Sequence, residues 1–438
     1  MDVRMRAYSF RVVYIFPPTA NEDDGSTSYN AHRLERSFRE LLDDDYPFFR
    51  HGELHEDPKT DMISIRAASH MEQDESQRQL QFEYVNTMTT TVDDVLALAD
   101  AALVPHREPH KLLVVRCTFL SDGGLVIALN INHCIFDADA CFTFMTQWGL
   151  HYRDVSKAGR PVISHDRHLL FCDSGKGPRF EHREYTIVDA SPMLQPSSFS
   201  NVSVPVIPKT TSHIFHLSKA NLNALKTFAI NGIASICNRQ ADAYISTMDA
   251  VTALMVLLIT QARGHHKNVN VGLAVNASEL DTAISSSPSS VCDPHILAAI
   301  ALRLRQSILR QNDEYMRDTL AFLAAQESPR CVQASTKFAF GSDVMVSSWV
   351  DLGAMDADFG ARPLYVASPN VPICDGLVVF QESCRSAPSM KTEEEKGVDA
   401  LVYLETEAMA RLKRLWMRVL CCLREQQSEL HAPYISIS

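Results

Sequence analysis

The run from Gly123 to Phe142, Gly-Gly-Leu-Val-Ile-Ala-Leu-Asn-Ile-Asn-His-Cys-Ile-Phe-Asp-Ala-Asp-Ala-Cys-Phe, constrains this chain more than any other. An apolar, β-prone stretch delivers His133 to its end, and Asp137 follows four residues on, just before a segment with helical spacing. A strand fixes the backbone while its end opens on a cleft. A histidine placed there is both rigid and reachable, as a general base must be. The spacing alone selects nothing, because His70 and Asp74 share it inside the polar stretch Ser-His-Met-Glu-Gln-Asp-Glu-Ser-Gln-Arg. Context singles out His133.

The remaining composition narrows the class. A chain of 438 residues, 46% hydrophobic and 21% charged, can hold two domains, each with a full core. Its longest apolar stretch, Ala253 to Ile259, is too short to span a bilayer, so no membrane partner is expected. The first residues, Met-Asp-Val-Arg-Met-Arg-Ala-Tyr, lack an apolar signal core, which argues against secretion. The net charge is −12 with no basic block, so nucleic acid is not an expected partner. The 11 cysteines are odd in number and form no C-x-x-C pair. Cys117, Cys134, Cys141, Cys237 and the pair Cys421–Cys422 read as buried thiols of a reducing compartment, so the expected localisation is cytoplasmic.

The pattern along the chain predicts a strand over Ser9–Phe16 and then a helix with Leu34, Phe38, Leu41 and Leu42 on one face, capped by Asn30. Lys111–Phe119 and Leu125–Ile131 flank Ser-Asp-Gly-Gly as a hairpin, and a helix runs over Ala138–Arg153. The Pro- and Ser-rich stretch 191–212 reads as a crossover between a first domain, 1–190, and a second, 213–438. In the second, Ser246-Thr-Met-Asp249 opens a long apolar helix to Arg263. Strands are expected at Asn268–Val275, Val344–Val350, Gly376–Phe380 and Ala400–Leu404, with a last helix over Glu405–Glu425. This alternation predicts an α/β fold in two parts. No nucleophile elbow, phosphate loop, dinucleotide turn or H-E-x-x-H metal site is present. His265-His266 reads as a helix terminus and Gly175-Lys-Gly177 as a loop.

His133 through Asp137 resembles the HxxxD motif of the BAHD acyltransferases. Far downstream, Val346-Ser-Ser-Trp349 followed by Asp358-Phe-Gly360 is similar to that family's Ser-Ser-Trp strand and D-F-G-W-G loop. Ser246–Asp249 with Arg263, the Asp375-Gly376 strand and the segment Val398–Glu405 also match, so the resemblance covers nearly the whole chain. It implies two similar chloramphenicol-acetyltransferase-like domains, each a mixed sheet flanked by helices, with an active-site channel between them. It also implies a monomeric acyltransferase that moves an acyl group from an acyl-CoA, acetyl-CoA foremost, to a hydroxyl or amine of a small metabolite. No cofactor is held permanently and no metal is implied.

By that resemblance His133 is the base and Asp137 its motif partner, more structural than catalytic. Asp358, Phe359 and Gly360 hold a loop, while Asn132, Ser347, Ser348 and Trp349 are expected along the substrate channel. The chemistry agrees with the residues. A thioester is already activated, so transfer needs only a base for the attacking group, and neutral imidazole, of ordinary pKa near ~6.5, suits that task.

Departures from the family are equally plain. Ala138 stands where glycine usually follows the motif, and Ala361-Arg362 replaces Trp-Gly. The arginine after the Val275-Asn276 strand is missing, and a Ser-rich run, Ile284–Val291, replaces the Tyr-x-Gly-Asn segment. They suggest a divergent branch of a fungal secondary-metabolism type. In the family an arginine of the second domain pairs with the motif carboxylate, and a buried Asp137 without it needs another partner: Arg303 or Arg305, or the amides opening the helix at Ala138. The amides are expected to serve, because they suit a carboxylate at a cap position. Two other readings stay open. A condensation-type enzyme fed by a carrier protein would usually carry two adjacent histidines, and Asn132 opposes it. A non-catalytic small-molecule-binding relative is the other.

Overall fold

The computed structural model of the chain describes residues 9–19, 29–57, 63–67, 82–98, 103–108, 111–165, 177–188, 208–236, 244–264, 268–274, 283–285, 293–328, 331–337, 340–369, 375–383 and 397–430. Its strands are β1 (Ser9–Phe16), β2 (Gly52–Glu56), β3 (Ile63–Ala67), β4 (Phe82–Asn86), β5 (Leu113–Phe119), β6 (Leu125–Asn132), β7 (Tyr185–Ile187), β8 (Thr210–Leu217), β9 (Asn268–Ala274), β10 (Ala283–Ser285), β11 (Val332–Ala334), β12 (Val344–Ser348), β13 (Tyr365–Ala367), β14 (Leu377–Glu382) and β15 (Val398–Glu405). Its helices are α1 (Ala31–Asp44), α2 (Pro47–His51), α3 (Val92–Leu98), α4 (Ala138–Tyr152), α5 (Lys219–Ile236), α6 (Thr247–Arg263), α7 (Pro294–Arg310), α8 (Asp313–Ala324) and α9 (Thr406–Leu430).

Local chemistry sets these elements. Asn30 caps α1 by accepting the Arg33 N–H at 2.9 Å, and the helix buries Leu34, Phe38, Leu41 and Leu42 at the predicted spacing. Ser246 and Asp249 close a reciprocal capping box on α6, which ends at Gly264 in the left-handed region (φ 70°). The longest apolar helix is thus bounded by the residues its sequence advertises. It is buried nearly all round, beneath the second sheet.

Two mixed sheets result. The first runs β13-β1-β6-β5-β4, with β4 and β5 parallel; the second runs β10-β9-β12-β14-β15-β8, with β9, β12 and β14 parallel. On the first, Leu125, Ile127, Leu129 and Ile131 of β6 face α1 and α4, while Val126 and Ala128 face the opposite side. On the second, Val378 and Phe380 of β14 face its helices, and Val379 joins the core of the first half. Leu401 and Tyr403 of β15 do the same. The inner face of the second sheet therefore packs on the first half.

The halves also exchange segments, which differs from a division at 190 and 213. Strand β13 lies in the first sheet, where Tyr365 pairs with Ile15. Strand β7 pairs with β11 of the second half. Most of the expected crossover, 191–212, lies outside the described residues, and its last part is already β8, which starts at Thr210. The reason for the return to the first sheet is packing. Phe359, 1% exposed, inserts between Trp148, Tyr152 and Phe16 at ring-centroid distances of 5.1, 5.5 and 5.4 Å. Each such ring pair adds about 0.5–1.5 kcal/mol beyond area burial.

A buried ion pair braces the second half. Arg263 reaches Asp375 at 2.6 Å and donates to the Asp343 carbonyl at 2.7 Å, while the other Asp375 oxygen accepts the Glu405 N–H at 2.8 Å. This fully bonded arrangement is the form in which a buried ion pair is tolerated.

Cysteine placement follows the reading only in part. Cys117, Cys134 and Cys141 are buried thiols, and burial pushes Cys117 and Cys141 far up, the latter also through nearby Asp137. Cys237 lies outside the described residues. Cys421 is exposed and Cys422 is disulfide-bonded, contrary to the expectation of two buried thiols. Among the described residues no helix is long and apolar enough to cross a membrane.

The close approach of the Asp358 loop makes Gly149 a necessity. A Cβ there would lie 2.7 and 2.8 Å from the backbone carbonyl oxygen and nitrogen of Asp358. Gly149→Ala is expected to lower stability by about 1–3 kcal/mol, the usual range for overpacking. Urea unfolding of the purified variant measures this, and an unchanged midpoint would show that the loop does not sit against α4.

Candidate active site

The site is built at the end of β6. Asn132 is its last residue, with main-chain N–H donating to the Leu112 carbonyl at 2.9 Å. A tight turn follows, closed by the Ile135 N–H on the Asn132 carbonyl at 3.0 Å, and His133 is its second residue. His133 is half-buried, so the imidazole is held and still reachable. Its Nδ1 lies 3.1 Å from the Phe136 carbonyl oxygen. A carbonyl only accepts, so in the neutral ring this contact places the proton on Nδ1 and leaves the lone pair on Nε2. Phe136 is anchored in turn, its ring packed on Phe49 and Phe144 at 4.9 and 5.7 Å.

The other side of the imidazole meets Phe10 of β1, edge to face, at 5.2 Å. Phe10 contacts Trp349 at 5.5 Å, and Trp349 contacts Phe142 of α4 at 5.5 Å. A ladder of rings thus joins the strand-end histidine to the Ser-Ser-Trp segment, which lies more than two hundred residues downstream. Trp349 is 4% exposed.

The two serines part company. Ser347 pairs with Val379, so it shares the inner face with Trp349, while Ser348 pairs with Phe380 on the face toward α6. Strand alternation therefore sets Ser348 away from His133, unlike its expected channel position. Asn132 also differs from a channel-lining residue: it is fully buried, and its Oδ1 accepts the Cys134 N–H at 3.0 Å.

Asp137 is the N-cap of α4, its Oδ1 accepting the Ala140 N–H at 2.9 Å. The carboxylate is exposed, not buried, so it has no need of a cationic partner. Arg305 is engaged elsewhere, 2.6 Å from Asp249. Ala138 is the first residue of the helix and its backbone is ordinary, which is why glycine is dispensable there. Asp358 turns its carboxylate to Arg153 at 2.7 Å and accepts the Gly360 N–H at 2.9 Å, and Gly360 adopts φ 99°. The D-F-G loop is a docking device on α4, remote from the imidazole in bonding.

Sequence reasoning missed Phe10, Phe136 and Arg153 as partners of the motif. Only the alternation of β1 hinted at the first, because register is not written in a single strand. His70 and Asp74, His265-His266 and most of the Ser-rich run lie outside the described residues. A cavity of about 460 Å³ opens beyond Trp349, lined by Val350, Asp351, Met355, Asp356, Arg362 and Glu382 among others, and its lining does not include His133. Among the described residues no cluster of histidine, cysteine and carboxylates could hold a metal ion.

The chain is similar to known proteins along most of its length. Residues 85–417 match the family model described as "Transferase family". The chain belongs to that family, the BAHD acyltransferases, which draw their acyl groups from coenzyme A thioesters. It is 24% identical over 314 residues to a hydroxycinnamoyltransferase of Narcissus pseudonarcissus, covering 69% of each chain. To putrescine hydroxycinnamoyltransferase 1 of Oryza sativa subsp. japonica it is 25% identical over 367 residues, covering 76% of this chain and 77% of that one. Among solved structures, F. graminearum TRI101 complexed with coenzyme A and deoxynivalenol superposes with a TM-score of 0.68 at 17% identity, over 95% of this chain and 98% of that one. The fold is thus the two-domain chloramphenicol-acetyltransferase-like one with two mixed sheets.

The cap geometry at Asp137 is open to a direct check. Asp137→Ala is expected to cost about 1 kcal/mol, the usual worth of an N-cap, and Asp137→Asn only a few tenths. Chemical denaturation of both variants reads the difference, and a loss as large for asparagine as for alanine would point to an ion pair in place of the cap.

Proposed function

We propose that the protein transfers an acyl group from an acyl-CoA to a hydroxyl or amine of a small metabolite, with His133 as general base and no acyl-enzyme. The observation that carries this is the Nδ1–Phe136 contact, which in the neutral ring leaves the basic lone pair on Nε2, with the half-buried ring joined through Phe10 to Trp349. In the step, Nε2 takes the proton of the attacking O–H or N–H as its heavy atom bonds to the thioester carbonyl carbon. The carbonyl becomes an oxyanion, and Ser347 and the Trp349 indole N–H are the donors proposed for it. Collapse re-forms the carbonyl and breaks the C–S bond, and the imidazolium returns the proton to the thiolate. Free coenzyme A leaves with the acylated product, so every proton and electron pair is accounted for.

Asp137 acts by fixing the start of α4, and Asp358 by fixing the loop that brings Trp349 forward. The amine alternative is kept because one relative carries putrescine, a diamine, in its name. A carrier-protein-fed condensation enzyme is disfavoured by Asn132 in place of a second histidine. A binding protein without turnover is the outcome opposed by the intact tautomer geometry.

The test is thiol release from acetyl-CoA and longer acyl-CoAs in the presence of alcohols and amines. His133→Ala is expected to keep the fold and to lower kcat/KM by roughly 10²–10⁴, the usual worth of a general base. His70→Ala is expected to leave it unchanged. Wild-type-like turnover by a folded His133→Ala protein would rule out this mechanism.

A further inference from the structure

The residue before the histidine is fully buried and polar, and the proposed mechanism gives it no task. Asn132 offers its Oδ1 to the Cys134 N–H at 3.0 Å, while its own carbonyl accepts the Ile135 N–H at 3.0 Å. Both bonds span His133. They tie the residue on its C-terminal side, and the one after that, back to the last residue of β6, so the backbone carrying the imidazole is clamped twice. Side-chain closure of this kind, from an asparagine oxygen to the amide two residues on, is a turn that asparagine and serine both form.

The strand side is equally fixed. Asn132 pairs with Ser9 across β1 and with the Leu112 carbonyl beside β5, so its side chain projects from a position that cannot drift. Cys134, the residue whose amide it holds, is buried against Ile63 and Leu54. Water therefore does not replace the bond if Oδ1 is removed, and the turn must re-aim to satisfy the Cys134 N–H.

We propose that Asn132 is a positioning residue for the reaction: its side-chain oxygen sets the turn that aims His133 Nε2, and it does not contact substrate. This deepens the reading of His133 as the base and rests on it. It also replaces the substrate-channel place that the sequence alone suggested for Asn132. The reach of the effect follows from geometry, since a displacement of about 1 Å in a reacting group costs on the order of 10²-fold in rate.

Asn132→Ala and Asn132→Ser are nearly equal in size and differ by one oxygen, which makes the pair the experiment. With acetyl-CoA and an accepted alcohol or amine, Asn132→Ala is expected to lose roughly 10²-fold in kcat, with KM for both substrates within about threefold of wild type. Asn132→Ser is expected to recover to within about tenfold of wild type, because its hydroxyl can accept the Cys134 N–H. Equal losses in the two variants, or a raised KM with kcat unchanged, would overturn the proposal, the second by returning Asn132 to substrate contact. If the alanine variant does not fold, a folded serine variant as slow as roughly 10²-fold below wild type overturns it alone.

A second readout needs no turnover. The rate at which diethyl pyrocarbonate modifies His133, followed by peptide mass, is expected to rise severalfold in Asn132→Ala and to stay near wild type in Asn132→Ser. Unchanged modification in Asn132→Ala would contradict the clamp even if no acceptor is ever found. Absence of thiol release in the wild-type protein, by contrast, speaks only against the proposed function.

Discussion

The insertion of Phe359 among Trp148, Tyr152 and Phe16 is the contact on which the rest depends. It draws a loop of the second half onto α4 of the first, and the chain on either side follows. Upstream, Trp349 comes to rest against Phe10 and Phe142; downstream, Tyr365 pairs into the first sheet beside Ile15. Gly149 is the concession that lets the Asp358 backbone approach, and the Arg153–Asp358 pair sits at the rim, half in water. Exposed pairs of this kind add at most about 1 kcal/mol, so aromatic burial and not charge holds the loop.

A polar bridge seals the same junction from inside. The Tyr365 hydroxyl donates to Asp399 at 3.3 Å and receives the Gln381 amide, and His216 donates to the other Asp399 oxygen at 2.7 Å. Three strands of the second sheet and one of the first are thereby linked through side chains. The proposed site draws on both halves, and a general base placed there needs such redundancy, because its catalysis is sensitive to small errors in position.

Much of this was legible in the sequence, and the failures have physical causes. Strand β1 falls on the predicted Ser9–Phe16, and the caps at Asn30 and Ser246 stand where the residues place them, because capping and alternation are local. The place of His133 at the end of β6 was legible for the same reason: the strand that carries it and the helix that follows are contiguous. What could not be read is long-range. Nothing local states that Phe10 meets the imidazole, that the Phe136 carbonyl sets its tautomer, or that residues near 360 return to the first core. Asp137 is satisfied by a local amide, as its cap position predicts, but its carboxylate lies in solvent where α4 begins and was not expected to. The Cys422 disulfide likewise escapes a reading that counts thiols and cannot pair them.

Hydrogen–deuterium exchange of the Phe359→Ala protein, run beside its thiol-release rate, tests the central claim most directly. If docking of this one ring assembles the site, exchange in 365–367 and in 125–133 accelerates together and thiol release falls with it. Faster exchange confined to 365–367, with 125–133 protected and thiol release unchanged, would contradict the account.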